Sequence, residues 1–281
     1  MTSIGESLRA ATARLTEAGI DGARLDARLL LAEALGKDGT WLFNHANDEL
    51  DASVEAAFAA LVEKRLARQP VSLILGRREF WSLDFTVTRD TLAPRPDSET
   101  LIEAVLAELP DRQAPLSLLD LGTGTGCLLI SLLSELPNAR GTGVDINPDT
   151  LAVAQGNADR LGFGARTRFI RSSWWDAIEG RFDVILSNPP YIPSGDIPGL
   201  DPEVARFEPL DALDGGADGL DAYRLLAAGV EGFLAENGVI AFEVGAGQAP
   251  DVAVLLEQAG FPLRAIRRDL AGIERCVVSR R

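Results

Sequence analysis

A chain of 281 residues, 46% of them hydrophobic, holds enough apolar material for one large domain with a smaller one attached. Its 42 acidic and 27 basic residues leave a formal net charge of −15, which argues against a broad basic face for nonspecific nucleic-acid binding. One histidine, His45, and two cysteines without paired spacing, Cys127 and Cys276, offer no metal-ligand cluster, so no metal is expected.

The N-terminal residues lack the basic-then-apolar pattern of a leader, and no run reaches the roughly 18 apolar residues of a membrane span. The cysteines read as buried thiols of a reducing compartment, so a cytoplasmic protein is expected. Residues up to about 70 read as helices. Ile4 to Ala18 is rich in Ala, Leu, Arg and Glu and stops at Gly19; Arg24 to Leu35 puts Leu25, Leu29 and Ala32 on one face and stops at Gly36. Trp41, Leu42 and Phe43 form a short aromatic anchor. Asp51 stands as an N-cap before Val54, Phe58, Leu61, Val62 and Leu66, and Gln69-Pro70 closes that helix. His45, among asparagines, is assigned to a loop or helix edge. The segment is a small bundle without chemistry of its own.

From Val71 the period changes. Phe80, Leu83, Phe85 and Val87 mark extended chain and predict a linking β-hairpin. Pro94-Arg95-Pro96-Asp97-Ser98-Glu99 follows, with two readings. It is a capped helix start, with Asp97 or Ser98 as cap and Glu99 in the first turn, or it also forms the wall of a cofactor crevice.

Leu116 to Leu119 is a short strand ending at Asp120. Gly122, Gly124 and Gly126 then alternate with Thr123 and Thr125 ahead of an apolar helix, Cys127 to Leu136. A strand, a glycine-rich turn and a helix in that order make a cofactor loop. The third glycine comes one residue early for a dinucleotide fingerprint and the P-loop lysine is absent, so pyrophosphate is not strongly indicated. A second strand, Gly141 to Val144, ends at Asp145, an acid placed to take the two hydroxyls of a ribose. After a helix from Asn147 to Asn157 and a short strand at Phe169-Ile170 come Ser172, Ser173, Trp174 and Trp175. A tryptophan there covers an adenine face or is simply core.

Phe182 to Leu186 is the fourth strand. Asn188, Pro189, Pro190 and Tyr191 follow Ser187 just past its C-terminal end, the edge at which open α/β sheets bind ligands. The prolines stiffen the turn and hold the Asn188 carboxamide, which can grip another amide or an amino group, toward the crevice. The plainer reading is a rigid turn. Residues 192 to 219 form a long loop, a lid or substrate platform, with Arg206, Phe207, Glu208 and Pro209 as anchors. A helix from Asp221 to Leu234, with Tyr223, Leu226 and Val230 inward, precedes the fifth strand, Val239 to Val244, with Glu243 near its end. Val252 to Ala259 is the last helix. Arg264 to Ile266 and Cys276 to Val278 are closing strands, antiparallel across the Asp269 to Gly272 turn.

Over nearly its whole length the chain resembles the release-factor protein-(glutamine-N5) methyltransferases of the PrmC/HemK type. The resemblance rests on the helical N-terminus, Ile74-Leu75-Gly76 to Val87, Arg95 to Glu99, Asp120 to Gly126, Asp145, Ser187 to Ile192, Phe207-Glu208-Pro209, Asp218 to Tyr223 and Asp269 to Gly272. It implies an α/β architecture: a Rossmann-like, seven-stranded class I methyltransferase sheet with a small N-terminal helical bundle and a linking β-hairpin. The implied domains are 1–72 for substrate recognition, 73–91 as hairpin linker and 92–281 as the S-adenosylmethionine-dependent methyltransferase domain. It implies that Gly122, Thr123, Gly124, Thr125 and Gly126 wrap the methionine end of the cofactor, Asp145 holds the ribose and Trp174 borders the adenine. Pro96, Glu99 and Asn188 complete the cofactor wall. The substrate glutamine is implied to meet Asn188, Pro189, Pro190 and Tyr191, with Phe80, Arg95 and Phe207 lining its approach and Asn188 and Pro189 as the catalytic pair. The implied partner is a class 1 peptide-chain release factor, methylated on the glutamine of its Gly-Gly-Gln loop, and the enzyme is expected to be a monomer.

Three positions depart from the family pattern: Asp97-Ser98 where it has Glu-Thr, Ser173 where it has an acid before the tryptophan, and Glu236-Asn237-Gly238 in place of a Lys-Pro-Gly-Gly turn. The same turn also suits adenine-N6 methylation of nucleic acid, against which the charge and the missing target-recognition domain weigh. Methylation of a ribosomal-protein glutamine, or a non-catalytic cofactor-binding adaptor, are the other readings.

Overall fold

The computed structural model describes residues 2–281, which group into two compact units: the chain up to Gly76 together with Asp201–Phe207, and Arg77–Leu200 with Glu208–Arg281. The first unit holds α1 (Ile4–Glu17), α2 (Ala23–Leu35), α3 (Gly39–Asn44), α4 (Ala52–Leu66) and α5 (Val71–Leu75). A capping box starts α1. The Ser3 Oγ accepts from the Glu6 N–H at 3.2 Å while the Ser3 N–H donates to Glu6 Oε2 at 2.9 Å. The buried face of α2 is Ala23, Ala27, Leu30 and Leu31, whereas Leu25 is 60% exposed and Leu29 is also at the surface. The apolar stripe of this helix is wide enough to fit two registers, and the packing against Leu15, Leu42 and Phe58 selects the second. His45 ends α3 and stacks on Trp41 with ring centroids 4.0 Å apart.

The last turn of the bundle, α5, is a five-residue helix stopped at Gly76. An apolar run that short has no period of its own, and Pro70 at its N-terminus sets it. The segment Asp201–Phe207, with α9 (Pro202–Ala205) inside it, is held to the bundle by Arg65. That buried guanidinium donates to Asp26 at 2.7 Å and to Glu203 at 2.8 Å.

The second unit begins with the hairpin β1 (Arg77–Phe80) and β2 (Leu83–Thr86). Its sheet has seven strands: β3 (Ser117–Leu121), β4 (Arg140–Asp145), β5 (Thr167–Arg171), β6 (Phe182–Ser187), β7 (Leu234–Glu243), β8 (Leu263–Arg268) and β9 (Glu274–Arg280). Their order is β5-β4-β3-β6-β7-β9-β8, parallel except that β9 runs antiparallel to both its neighbours. The helices α6 (Glu99–Glu108), α7 (Cys127–Glu135), α8 (Pro148–Arg160), α10 (Asp221–Phe233) and α11 (Ala249–Gln258) cover its two faces.

Alternation along each strand divides the core. Leu118, Val184 and Val278 pack with α6 and α7 on one face; Leu119, Ile185 and Val277 pack with α10 and α11 on the other. The seven-stranded Rossmann-like sheet expected from the sequence is thus present. Strand β7 starts at Leu234, five residues ahead of the apolar run at Val239, and a register shift between Phe182 and Val184 absorbs its polar start.

From β3 the chain winds outward through β4 and β5, then returns to place β6 on the other side of β3. The switch point lies between β3 and β6, whose ends pair Leu121 with Ser187. Loops leaving two neighbouring strands in opposite directions open a crevice there.

Candidate active site

At the tip of β3 the chain takes three left-handed glycine conformations, φ +74° at Gly122, +55° at Gly124 and +77° at Gly126. Gly126 caps α7, and a Cβ there would stand 3.1 Å from Ile130 and 3.4 Å from Ala154, so the position requires glycine twice over. Gly122 and Thr123 both donate backbone N–H groups to the Val144 carbonyl, which ties the loop to β4. Thr123 Oγ1 donates to Asp120 Oδ2 at 2.7 Å. Asp120 is fully buried, and burial pushes its pKa up to about 7, opposed by the Thr123 bond and reinforced by the Asp145 charge.

Asp145, at the tip of β4, has both oxygens held by backbone donors: Oδ2 by Gly124 N–H at 3.2 Å and Oδ1 by Asn147 N–H at 3.0 Å. Burial raises its pKa and these donors oppose the rise. The carboxylate is fixed by these donors, and Asp145 is among the residues that line the crevice. Trp174, with φ +48°, also lines the crevice, its ring 3.7 Å from where a Gly122 Cβ would be. Its neighbour Trp175 turns away to stack on Phe233 and donates to the Leu225 carbonyl.

The opposite wall is the turn after β6. Ser187 Oγ donates to the Leu121 carbonyl at 2.6 Å and fixes the strand end, and Pro189 is buried behind it. The Asn188 Nδ2 group donates to Ser98 Oγ at 3.4 Å, leaving Oδ1 as the free acceptor of the carboxamide. Tyr191 is half-buried, and burial with the nearby Glu243 charge pushes its pKa up to about 12. Gln248 braces the turn from the start of α11. Its Nε2 donates to the Tyr191 carbonyl at 2.9 Å while its Oε1 accepts from Gly245 N–H at 3.0 Å. Arg95 reaches across the mouth and donates to both Glu208 oxygens at 2.7 and 2.8 Å, and the Glu208 carboxylate is almost wholly buried. Burial raises the Glu208 pKa and Arg95 opposes the rise.

One crevice of about 600 Å³ is lined by Gly122, Thr123, Gly124, Thr125, Asp145, Trp174, Arg95, Asn188 and Pro190 together. Gly126, Pro189 and Tyr191 are not among its lining residues but are chain neighbours of Thr125, Asn188 and Pro190, which are. Three residues expected at the site lie elsewhere. Phe80 is 2% exposed and packs edge-on against Phe85, because the left-handed turn at Trp81 and Ser82 directs it into the core. Pro96 is exposed at the start of the short helical turn before α6. Glu99 accepts from the Trp81 N–H at 3.0 Å and borders a separate hollow with Glu135. Phe207 belongs to the helical unit. The wall that the Pro94–Glu99 segment gives the crevice is Pro94, Arg95 and Ser98.

Ser98 is no side-chain cap, and Asp97 pairs instead with Arg275 at 3.3 Å. Glu243 and Gln248 were not legible as site residues, nor were the partners of two that were: Ser98 with Asn188, and Glu208 with Arg95. The signal that points to Glu243 is a lone carboxylate in the otherwise apolar run Val239–Val244.

Among the described residues no group of His, Cys, Asp or Glu could hold a metal ion, and no helix is long and apolar enough to cross a membrane. A doubly wound sheet with a glycine loop at the first strand tip, an acid at the second and Asn-Pro-Pro-Tyr at the fourth defines a class I methyltransferase. A methyltransferase structure from Pyrococcus furiosus has the same fold, with a TM-score of 0.52 at 16% identity over 79% of this chain and 96% of that one. Residues 6–76 match the PrmC N-terminal domain and residues 97–197 the methyltransferase small domain. The chain is 50% identical to the release factor glutamine methyltransferase of Rhodospirillum rubrum over 99% of its own length and 85% of that protein. It is 48% identical to the one from Cereibacter sphaeroides over 98% and 97%. The chain belongs to the release factor glutamine methyltransferase family.

Proposed function

We propose that the protein transfers a methyl group from S-adenosylmethionine to the side-chain amide N5 of the glutamine in the Gly-Gly-Gln loop of class 1 peptide-chain release factors. The observation that carries this reading is the Asn188 carboxamide at the crevice wall, with its donor end engaged by Ser98 and its acceptor end free. An amide substrate has two N–H donors, and a fixed acceptor is what aligns them.

The crevice fits the cofactor. Side-chain-free backbone at Gly122 and Gly124 leaves room for the methionine end. The held Asp145 carboxylate offers acceptors to two ribose hydroxyls, and Trp174 offers a ring face to the adenine. Ser173 also lines the crevice, so contacts to the adenine amino group fall to the backbone. When bound, S-adenosylmethionine supplies the methyl as an electrophilic sulfonium substituent.

The amide nitrogen is a poor nucleophile because its lone pair is delocalised into the carbonyl. The Asn188 Oδ1 and the Pro189 carbonyl accept its two hydrogens, aim it into the crevice and stabilise the positive charge that grows on it. Pro189 has no N–H, so it acts only as acceptor. No histidine or lysine lines the crevice, so the proton leaves to water after transfer. The helical unit is assigned to recognition of the release factor.

The test is transfer of labelled methyl from S-adenosylmethionine to a purified class 1 release factor. Its controls are the factor with the loop glutamine replaced by alanine, and bulk ribosomal protein. Label on the parent factor alone is expected. Label on ribosomal protein and none on the factor would reassign the substrate.

A further inference from the structure

The Asn188 mechanism requires that its carboxamide face one way, and an amide can flip. We propose that Glu243 is a positioning residue that fixes the orientation of the Asn188 carboxamide through the Ser98 hydroxyl; this rests on the function proposed above. The register of β6 and β7 pairs Ser187 with Phe242, so the next step sets Asn188 beside Glu243 at the sheet edge. Glu243 is 2% exposed, its backbone carbonyl is held by the Tyr223 hydroxyl at 2.7 Å, and its Oε2 has no hydrogen-bond partner. Ser98 is 3% exposed and accepts the Asn188 Nδ2 donor. Burial pushes the Glu243 pKa up to about 7, with the Asp97 charge adding to the rise and side-chain hydrogen bonding with Ser98, the Arg275 charge and a weaker hydrogen bond with Asn188 opposing it.

The chemistry of a hydroxyl supplies the logic. Ser98 has one hydrogen to give. If that hydrogen goes to the Glu243 carboxylate, Ser98 Oγ can only accept toward Asn188. It then takes the NH₂ end and turns Oδ1 toward the crevice. Without an acceptor-only group behind it, as when glutamine presents its NH₂ to Ser98 Oγ, the hydroxyl can donate to Oδ1 instead. The carboxamide then reverses and meets the substrate NH₂ donor against donor. A buried carboxylate with a spare lone pair is what makes the first arrangement the stable one.

The test uses Glu243→Gln, Ser98→Ala and Ser98→Thr in the full-length enzyme. Folding is checked by thermal melting and by affinity for S-adenosylhomocysteine, which is expected to stay within about threefold of the parent. Glu243→Gln and Ser98→Ala should each lower kcat about tenfold with little change in the release-factor KM, and Ser98→Thr should recover most of the loss from Ser98→Ala. Combined with Asn188→Ala, Glu243→Gln should add almost nothing, because its route of action is gone. A separate readout does not need turnover. In protein labelled with ¹⁵N-asparagine, the Asn188 side-chain NH₂ signal, identified by its loss in Asn188→Ala, should shift and exchange faster in both Glu243→Gln and Ser98→Ala. An unmoved NH₂ signal in both variants, or a loss from Glu243→Gln that multiplies with that of Asn188→Ala, would overturn the assignment. A parent enzyme that labels no release factor would instead remove the proposed function, with the NMR comparison still deciding the orientation.

Discussion

The two walls of the crevice are built by opposite means. The wall of Gly122 to Gly126, Asp145 and Trp174 is held by backbone. Its glycines turn the chain, and Asp145 is fixed by N–H groups of Gly124 and Asn147, close by in the loops at two neighbouring strand tips. The wall of Asn188 to Tyr191 is held by side chains that arrive from far along the chain: Ser98, 90 residues away, and Gln248, 57 residues from the Tyr191 carbonyl it holds. The first wall is a local device that can be read wherever the loop occurs. The second depends on the sheet bringing the ends of β6 and β7 together.

Substitutions can separate the walls. The largest expected effect is on the second. Asn188→Ala should cut kcat at least about 100-fold, the loss typical of one oriented polar group, with S-adenosylhomocysteine affinity nearly intact. Steady-state kinetics beside calorimetry would check it, and turnover near the parent rate would break the comparison. On the first wall, Asp145→Ala should weaken S-adenosylhomocysteine about 10- to 100-fold, the range for hydrogen bonds to a charged group. Unchanged affinity in calorimetry would remove the ribose assignment.

A smaller effect is a pH slope in stability. Asp120 has its pKa raised by burial to about 7 from an ordinary 3.8, so the unfolded chain ionises first as pH rises. The group therefore withdraws stability between about pH 4 and pH 7, by at most about 1.4 kcal/mol per pH unit. Asp120→Asn should gain on the parent across that window in denaturant titrations, and a difference independent of pH would contradict the shift. The smallest effect is Tyr223→Phe, which removes the buried bond to the Glu243 carbonyl and should cost about 1 kcal/mol of stability. A melting temperature equal to the parent's would show that this bond does not brace β7.

The difference between the walls also explains what was legible in the sequence. The strands were, because runs such as Val184–Leu186 and Val277–Val278 are apolar on both faces and end at polar residues. The cofactor side was, because glycine at alternate positions and an acid at the next strand tip are local signals. The helix Val71–Leu75 was not, since five residues have no period. Ser98 read as a helix cap because serine before an acid is a capping pattern, yet its hydroxyl is turned to Asn188. Phe80, Pro96 and Glu99 sit near the site in sequence, but the turn at Trp81–Ser82 and the start of α6 send them elsewhere. Glu243 and Gln248 acquire their partners only when β7 lies beside β6, and no spacing along the chain encodes that.

The most direct test of the account is to react the parent enzyme and Asn188→Ala with a class 1 release factor and S-adenosylmethionine, then sequence the loop peptide by fragmentation mass spectrometry. One added methyl is expected, on the side-chain amide of the Gly-Gly-Gln glutamine, formed by the parent and almost absent with the variant. A methyl on another residue, or equal modification by both enzymes, would contradict it.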